Sequence, residues 1–493
     1  MRALLLALIL LPTFAYAADH TTRQTLTLPS GPLPFTATVE TIKLANPKGE
    51  PQAEIVATAF LRDPAPGSAP GNAPSSAPGD APGKAPGDAS RPVTFVFNGG
   101  PGAASAWLDV GAIGPWRVPI RFVPGQDVAL VDNAETWLPF TDLVFIDPPD
   151  TGYSRALVTG DAAKPFNTVD GDIDTLATVV RRWLEAHNRL LSPKFIVGES
   201  YGGFRAPRLA RALQDDQGVG VNGLVLLSPV LDFNGFQAPY NPFRWAATIP
   251  ALAAAHRHAT SRAEVQDAED YARTDYLSDL LRGTQDQAAT ARLVARTAAL
   301  TGLPLEVVQR HAGRIDTSTA IRDRDPGALA SPYDATVSIP DAFPERTFAS
   351  SPDPVLDGLR APITTAMLTV YRRLDWQPEG APNRRYELLN EAVNRTWDYG
   401  RSNVRPEALT ALRQYLALDG TARVLVEHGL YDLVTPYFTD VLLLDQVPRV
   451  GTPGRLALQA HAGGHMFYLD DTSRIALRDE AADLVKAALD ARK

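Results

Sequence analysis

Residues 198–202 read G-E-S-Y-G and directly follow the apolar run 195–197. A G-x-S-x-G turn between a strand and a helix holds its serine in a strained backbone conformation that exposes the hydroxyl. Residues 201–213 carry Ala, Leu and Arg at helical spacing, which is the setting that such a turn requires. The pattern therefore predicts a nucleophile elbow with Ser200 as the nucleophile.

A serine hydroxyl is a weak nucleophile until a base takes its proton, so a histidine and an orienting carboxylate are needed. After an elbow of this kind the acid comes next along the chain and the histidine last. His461 and His465 both lie late enough, and we prefer His465 because it sits in the glycine-lined run 462–466. Asp432 lies in the loop just after the segment 423–428, which has the pattern of a buried strand, and is the expected acid. An Asp before a Pro is also usual in turns, but three strand-and-loop signals in the right order favour the triad.

A third glycine-rich loop, 98–102, reads N-G-G-P-G and follows the apolar run 93–97. Glycine has no Cβ, so backbone N–H groups in such a loop can approach a substrate carbonyl oxygen closely. We expect the N–H groups of Gly100 and Tyr201 to form an oxyanion hole. An ordinary Gly-Pro turn is the alternative.

With these residues assembled, the chain resembles the serine carboxypeptidase family. The family's motifs stand here, in order, at 98–102, 198–201, 429–432 and 463–465. The resemblance runs from about Phe95 to the C-terminus, and it implies an enzyme that removes C-terminal residues from peptides through an acyl-enzyme, without a cofactor. It further implies that Asn98 and Glu199 bind the terminal carboxylate of the substrate.

One family position is not matched. The family has a second Glu about two residues ahead of a Gly-Pro pair, and this chain has Ala112 there. An ionised Glu199 would repel a carboxylate, so the two must share a proton, which favours acidic pH, while the Asn98 amide can donate. Asp109 is a candidate substitute, and Glu199 could instead only support the elbow. The departure keeps an esterase or an acyltransferase open as alternatives, with an inactive binding protein as a third.

Residues 1–17 have the pattern of a signal peptide, with Arg2, an apolar stretch and a final Ala-Tyr-Ala. We therefore expect a periplasmic or secreted protein, and no later apolar run predicts a membrane span. The net charge of −9 argues against nucleic acid as a partner. The chain has no cysteine, which excludes disulfides and cysteine-bound zinc, and no H-E-x-x-H, so we expect no metal. Because eukaryotic relatives usually carry disulfides, a bacterial member of the family is favoured.

The elements that must position these loops predict an α/β-hydrolase fold, in which a mixed, mostly parallel sheet is flanked by helices. Alternating segments at 25–28, 35–44 and 53–60 predict an antiparallel start, and helices are expected at 175–189 and, within a later and mostly helical interval, at 264–281. We divide the chain into a core at 18–231, a helical cap insertion at 232–415 and a second core part at 416–493. Within the first part, the Ala/Pro/Gly-rich tract at 65–90 predicts a flexible loop.

Overall fold

The computed structural model describes residues 20–64, 88, 90–119, 129–234, 240–345, 352–380, 383–400 and 406–492. The predicted signal peptide and nearly all of the Ala/Pro/Gly-rich tract lie outside these described residues. All the candidate site residues lie within them.

Most strands lie in the N-terminal half of the chain or near its C-terminus. In order they are β1 (His20–Leu28), β2 (Gly31–Ala45), β3 (Pro51–Arg62), β4 (Val93–Phe97), β5 (Trp116–Arg117), β6 (Val131–Asp132), β7 (Asp142–Ile146), β8 (Arg155–Ala156), β9 (Lys194–Glu199), β10 (Gly223–Leu227), β11 (Ala328–Ala330), β12 (Ser338–Pro340), β13 (Arg423–Gly429) and β14 (Leu456–His461). Within the described residues, ten of them form one sheet, and β5-β6 and β11-β12 form separate two-stranded pairs.

The order of the main sheet is β1-β2-β3-β7-β4-β9-β10-β13-β14, and β8 pairs with β3. The β1-β2-β3-β7 pairs are antiparallel, and every pair from β7 to β14 is parallel. The predicted mixed, mostly parallel sheet with an antiparallel start is thus confirmed. The register aligns Phe97 with Gly198 and Leu227 with both Glu199 and Glu427, so the loops after β4, β9, β10 and β13 leave the same edge.

The helices are α1 (Ala106–Leu108), α2 (Val169–Ala186), α3 (Tyr201–Gln217), α4 (Pro242–Arg257), α5 (Gln266–Tyr271), α6 (Leu277–Arg282), α7 (Gln287–Thr301), α8 (Leu305–Arg310), α9 (Thr317–Arg322), α10 (Leu356–Arg373), α11 (Glu391–Thr396), α12 (Leu409–Leu418), α13 (Tyr437–Leu444) and α14 (Asp471–Asp490). Helix α2 begins earlier than predicted because the side chain of Thr168 caps it, accepting from the N–H of Gly171 at 3.1 Å. None of the helices in the described ranges combines the length and apolar character that crossing a bilayer needs.

Successive residues of the central strands pack into two different cores. Phe95 and Leu224 lie in the core that the sheet shares with α2 and α3, whereas Val96 and Val225 lie in the core on the opposite face, with α14. Side chains of a strand alternate between the two faces of a sheet, and a sheet covered on both faces needs apolar residues at nearly every position. Because the central strands are buried on both faces, their positions are fixed, and so are the positions of the loops that follow their C-terminal ends.

The segment between β10 and β13 is mainly helical and contains the short β11-β12 pair. Its helices α4 to α7 form a third core together with residues 430–441, which follow β13. The predicted helix over 264–281 is a succession of shorter helical elements, with a π-helical turn at Ala272–Tyr276 between α5 and α6. Helix α12 returns to pack on α3 at the side of the sheet.

Candidate active site

Ser200 lies at the junction between β9 and α3 with φ 59° and ψ −119°, a backbone conformation that residues other than glycine rarely adopt. The flanking glycines make this turn possible. A Cβ on Gly198 would lie 2.0 Å from the carbonyl oxygen of Gly202, and one on Gly202 would lie 2.6 Å from that of Phe97. The chain therefore turns sharply enough to leave Ser200 partly exposed at the edge of the sheet.

Asp432 and His465 lie together in the loops after β13 and β14. The ring Nδ1–H of His465 donates to Asp432 Oδ2 at 2.7 Å, and both side chains are buried. His461, the alternative base, lies at the end of β14 and is bonded to Glu427 instead, at 2.7 Å. The parallel pairing of β13 with β14 brings the two loops together, although 33 residues separate Asp432 from His465.

The Asp432 carboxylate is held by more than the histidine. Oδ1 accepts from the N–H groups of Val434 at 2.7 Å and Thr435 at 3.0 Å, and the Thr435 hydroxyl donates to Oδ2 at 2.6 Å. Burial acts to raise the pKa of Asp432, but the charge of His465 and these hydrogen bonds hold it below its usual value. The carboxylate is thus ionised and fixed in orientation. Thr435 was not predicted from the sequence, although an Asp three residues before a Thr is a common turn pattern.

The His465 ring is fixed from several directions. The Thr435 hydroxyl oxygen lies 3.2 Å from Nδ1, and the Tyr333 ring stands edge-on to the imidazole, with ring centres 5.3 Å apart. The backbone of His465 donates to the Tyr333 carbonyl at 2.6 Å and accepts from the Ser228 hydroxyl at 2.8 Å. Burial acts to lower the pKa of His465, but the negative charges of Asp432 and Glu199 and the hydrogen bond to Asp432 raise it above its usual value. The ring can therefore take up a proton and hold it.

The glycine-rich loop after β4 packs directly against the elbow. A Cβ on Gly99 would lie 2.6 Å from the backbone N of Tyr201, so only glycine allows this approach. Gly100 has φ 99° and lines the same cavity as Ser200 and Tyr201. The two residues expected to form an oxyanion hole thus line the same cavity as the nucleophile candidate.

Asn98 and Glu199 form a buried pair beside Ser200. The Asn98 Nδ2 donates to Glu199 Oε2, and its Oδ1 accepts from the N–H of Leu108 at 3.0 Å, which sets the orientation of the amide. The hydroxyl of Tyr468, which the sequence analysis did not single out, lies 3.0 Å from each Glu199 oxygen and donates to them. The two partners come from opposite ends of the chain.

Burial raises the pKa of the Glu199 carboxyl to about 7, although His465 and the hydrogen bonds from Tyr468 and Asn98 act in the opposite direction. Near neutral pH this carboxyl therefore exists in both protonation states. A protonated Glu199 can donate to a bound carboxylate, whereas an ionised one repels it.

Neither sequence position considered for a second carboxyl lies in the described lining of this cavity. Ala112 is buried in the π-helical turn Asp109–Ile113. Asp109 belongs to the same turn, and its pKa is raised well above the usual value by burial and by the nearby Asp147. Asp109 thus does not stand in for the missing glutamate at the cavity.

The cavity has a volume of about 270 Å³ and a mixed lining. The polar lining includes Ser200, Asn98, Glu199, Thr435 and His465, and the remaining described lining is largely apolar: Ala103, Trp107, Val230, Phe233, Leu356, Leu389, Val434 and Met466. Among the described lining residues, Glu199 and His465 are the only acidic or basic side chains. The arrangement can activate a hydroxyl, accept a developing negative charge and enclose an apolar group.

A second cluster of ionisable groups joins Glu427 on β13, His461 on β14 and Glu480 on α14. Their ligand atoms lie within 4.8 Å of one another, which is compatible in spacing with a metal ion. His461 lies 2.7 Å from Glu427 and 3.3 Å from Glu480, so the three groups can also satisfy one another. This cluster lies outside the described lining of the cavity.

Comparison with known proteins points to one family. The sequence profile of the serine carboxypeptidase family matches residues 84–301, which contain Asn98, Gly100 and the elbow but end before Asp432 and His465. The chain is 30% identical to the pheromone-processing carboxypeptidase KEX1 of Yarrowia lipolytica over 158 residues, 31% of this chain and 23% of that protein. It is also 30% identical to serine carboxypeptidase-like 42 of Arabidopsis thaliana over 131 residues, 25% of each. The chain thus spans about a quarter of the length of these curated relatives.

The fold extends the likeness over most of the chain. The crystal structure of Kex1Δp, a prohormone-processing carboxypeptidase from Saccharomyces cerevisiae, superimposes with a TM-score of 0.54 and covers 91% of each chain at 14% identity. At that identity the likeness concerns the fold, which is the α/β-hydrolase fold expected from the sequence. Profile, curated relatives and fold agree in pointing to the serine carboxypeptidase family, whose profile this chain matches over residues 84–301.

Proposed function

We propose that this protein is a serine-type carboxypeptidase, which hydrolyses the C-terminal residue from peptides. One observation carries the proposal: a nucleophile elbow, a histidine bonded to a buried carboxylate and an Asn-Glu pair surround a single cavity. The first two groups serve acyl transfer in general. The third provides what a carboxypeptidase needs in addition, a means to bind a free carboxylate.

In the proposed mechanism the Ser200 oxygen attacks the carbonyl carbon of the last peptide bond while Nε2 of His465 takes the hydroxyl proton. Asp432 holds the ring through Nδ1 and stabilises the imidazolium that forms. When the tetrahedral intermediate collapses, the C–N bond breaks and His465 passes its proton to the leaving amine. The acyl-enzyme is then hydrolysed by water, with His465 again as the base.

The remaining groups act on the two negative charges of this reaction. The N–H groups of Gly100 and Tyr201 would stabilise the oxyanion that develops on the substrate carbonyl. Asn98 would donate to the terminal carboxylate, and Glu199, when protonated, would donate as well. The raised pKa of Glu199 supports this role, because a group with a pKa of about 7 keeps its proton through the acidic range.

We also propose that the segment 232–415 acts as a cap over the site. Phe233, Tyr333, Leu356 and Leu389 come from this segment and line the cavity, which supports the division. Their apolar character favours peptides with large apolar side chains next to the cleaved bond.

An esterase or acyltransferase on the same scaffold is the second candidate, and Ala112 in place of a glutamate favours it. An acyl-enzyme can form whether or not the leaving group carries a free carboxylate, and it can then react with water or with another acceptor. An inactive binding protein is the third candidate, and a complete set of catalytic side chains speaks against it.

Hydrolysis of the Phe-Leu bond in N-blocked Phe-Leu and in its C-terminal amide, measured as release of leucine and of leucinamide at pH 4.5 and 7.5, tests the proposal. We expect faster release from the free acid, no release by Ser200→Ala, and normal release by Ser261→Ala, a half-buried serine of the 232–415 segment whose hydroxyl donates to Glu264. Equal or absent release, together with rapid hydrolysis of a p-nitrophenyl ester, would favour the esterase. If a fluorophosphonate probe does not label the wild type, the enzyme proposal fails.

We further propose that residues 1–17 direct a bacterial protein to the periplasm or the medium, from the sequence pattern alone. The prediction is checked by N-terminal sequencing of protein recovered from those fractions, where the expected first residue is Ala18.

A further inference from the structure

Tyr468 contacts the Asn-Glu pair without belonging to the described cavity lining. It lies in a short 3₁₀ turn, Phe467–Leu469, three residues after His465, and its side chain is buried. Its hydroxyl donates to Glu199, 3.0 Å from each carboxylate oxygen, and its own carbonyl accepts from Arg474 at 3.1 Å. The hydroxyl is thus bonded to Glu199, and Arg474 holds the backbone of the same turn.

The ring of Tyr468 also packs on the turn in which a second carboxyl was expected. A Cβ on Gly111 would lie 3.4 Å from Tyr468 Cε2, and Gly111 is the neighbour of Ala112. Among the described residues, the side-chain hydrogen-bond partners of Glu199 are Asn98 and Tyr468. Both are neutral groups that donate to it.

We propose that Tyr468 is a positioning residue for substrate binding: its phenol holds Glu199 beside Asn98 and supplies the hydrogen-bond donor that a second carboxylic acid would otherwise provide. The inference rests on the proposed carboxypeptidase function. A second carboxylic acid, once ionised, would add a negative charge to the site. A phenol keeps its proton well above neutral pH, and burial and the neighbouring Glu199 raise the pKa of Tyr468 further.

Several other groups act on Glu199 and must be separated from Tyr468 in a test. His465 lowers the pKa of Glu199 and Asp432 raises it, while Tyr333 faces the same site from the 232–415 segment. The triad titrates with every substrate, so its contribution cancels when two substrates that differ only at the C-terminus are compared. The informative quantity is the ratio of kcat/KM for N-blocked Phe-Leu to kcat/KM for its C-terminal amide, followed from pH 5 to 9.

In the wild type we expect this ratio to fall with a midpoint near pH 7, as Glu199 ionises in the free enzyme. In Tyr468→Phe the carboxylate form of Glu199 loses a donor, so the midpoint should move up by about 1 pH unit. The ratio on the acidic plateau should fall severalfold because Glu199 is no longer held. Tyr415→Phe removes another buried phenol, bonded to the Val221 carbonyl, and should leave both quantities unchanged.

An unchanged midpoint in Tyr468→Phe, or equal losses with acid and amide, would overturn the inference, because a purely structural tyrosine affects both substrates alike. Labelling by a fluorophosphonate probe shows that the variant still forms its active site. The failure of the proposed function is a distinct result, in which the wild type itself does not prefer the free acid at any pH.

Discussion

Replacing Asp432 by Asn tests the catalytic reasoning most directly. The carboxylate is buried, lies 2.7 Å from His465 Nδ1 and keeps its charge in the folded protein. With charge centres about 4 Å apart and an effective dielectric constant of about 20, it stabilises the imidazolium by about 4 kcal/mol. That corresponds to about 10³ in rate. An amide at this position can also fix the wrong histidine tautomer, so we expect kcat to fall by about 10³ to 10⁴.

The pH dependence provides a second measurement on the same variant. In the wild type the charge of Asp432 is the main cause that raises the pKa of His465 against the effect of burial. Catalysis needs the neutral ring, so the activity rises with pH through that pKa. In Asp432→Asn the acidic limb of the kcat/KM profile should therefore move to lower pH.

The matched control is Asp440→Asn, which removes another buried carboxylate bonded to a histidine, His428 at 3.0 Å, outside the described cavity lining. Its activity on N-blocked Phe-Leu should stay within about threefold of the wild type. A fall of less than about tenfold in Asp432→Asn, or an equal fall in both variants, would refute the role of Asp432. Circular dichroism and urea unfolding establish that each variant is folded.

Two further predictions concern the support of the site and its neighbouring cluster. Thr435→Val keeps the shape of the side chain but removes the hydroxyl that lies 2.6 Å from Asp432, so kcat should fall about tenfold. The control is Thr248→Val, at a buried threonine bonded within its own helix, which should not alter kcat. Burial acts to lower the pKa of His461, but its carboxylate partners raise the pKa to about 9. Because this pKa is higher in the folded than in the unfolded protein, the protonated His461 stabilises the fold fully below pH 6.5. The contribution is lost as the pH rises through 9. The difference in unfolding free energy between wild type and His461→Gln should shrink by roughly 3 kcal/mol over that range. A difference independent of pH, or an equal trend in the exposed His258→Gln, would contradict this.

The sequence alone was sufficient to predict the features that depend on neighbouring residues in the chain. The elbow needs glycines at 198 and 202 because a Cβ at either position would meet backbone atoms, and this requirement is visible in the sequence. The apolar runs before Ser200 and Asp432 predicted strands because strands covered on both faces are apolar at nearly every position. The order of the motifs then identified the three triad candidates, whose catalytic roles remain predictions.

Helix detail was less predictable than strand placement. The 264–281 helix contains a π-helical turn, and α2 starts at a threonine cap before its apolar stripe begins. Periodicity identifies the buried face of a helix, but caps and local changes of helix type depend on single side chains and on packing. The short β11-β12 pair likewise gave no pattern long enough to detect.

Only the tertiary structure decided which residues far apart in the chain are in contact. Tyr468 and Glu199 are separated by 269 residues and Asn98 and Glu199 by 101, and no periodicity or spacing links such positions. The resemblance suggested the Asn-Glu pair, but Tyr468 had no signal, and Asp109 was considered because it is close in sequence to the missing glutamate. Sequence by itself determined the turns and strands, since these depend on neighbouring residues. The identity of the groups that donate hydrogen bonds to Glu199 depends on which loops the sheet register brings to the same edge, and that is a property of the folded chain.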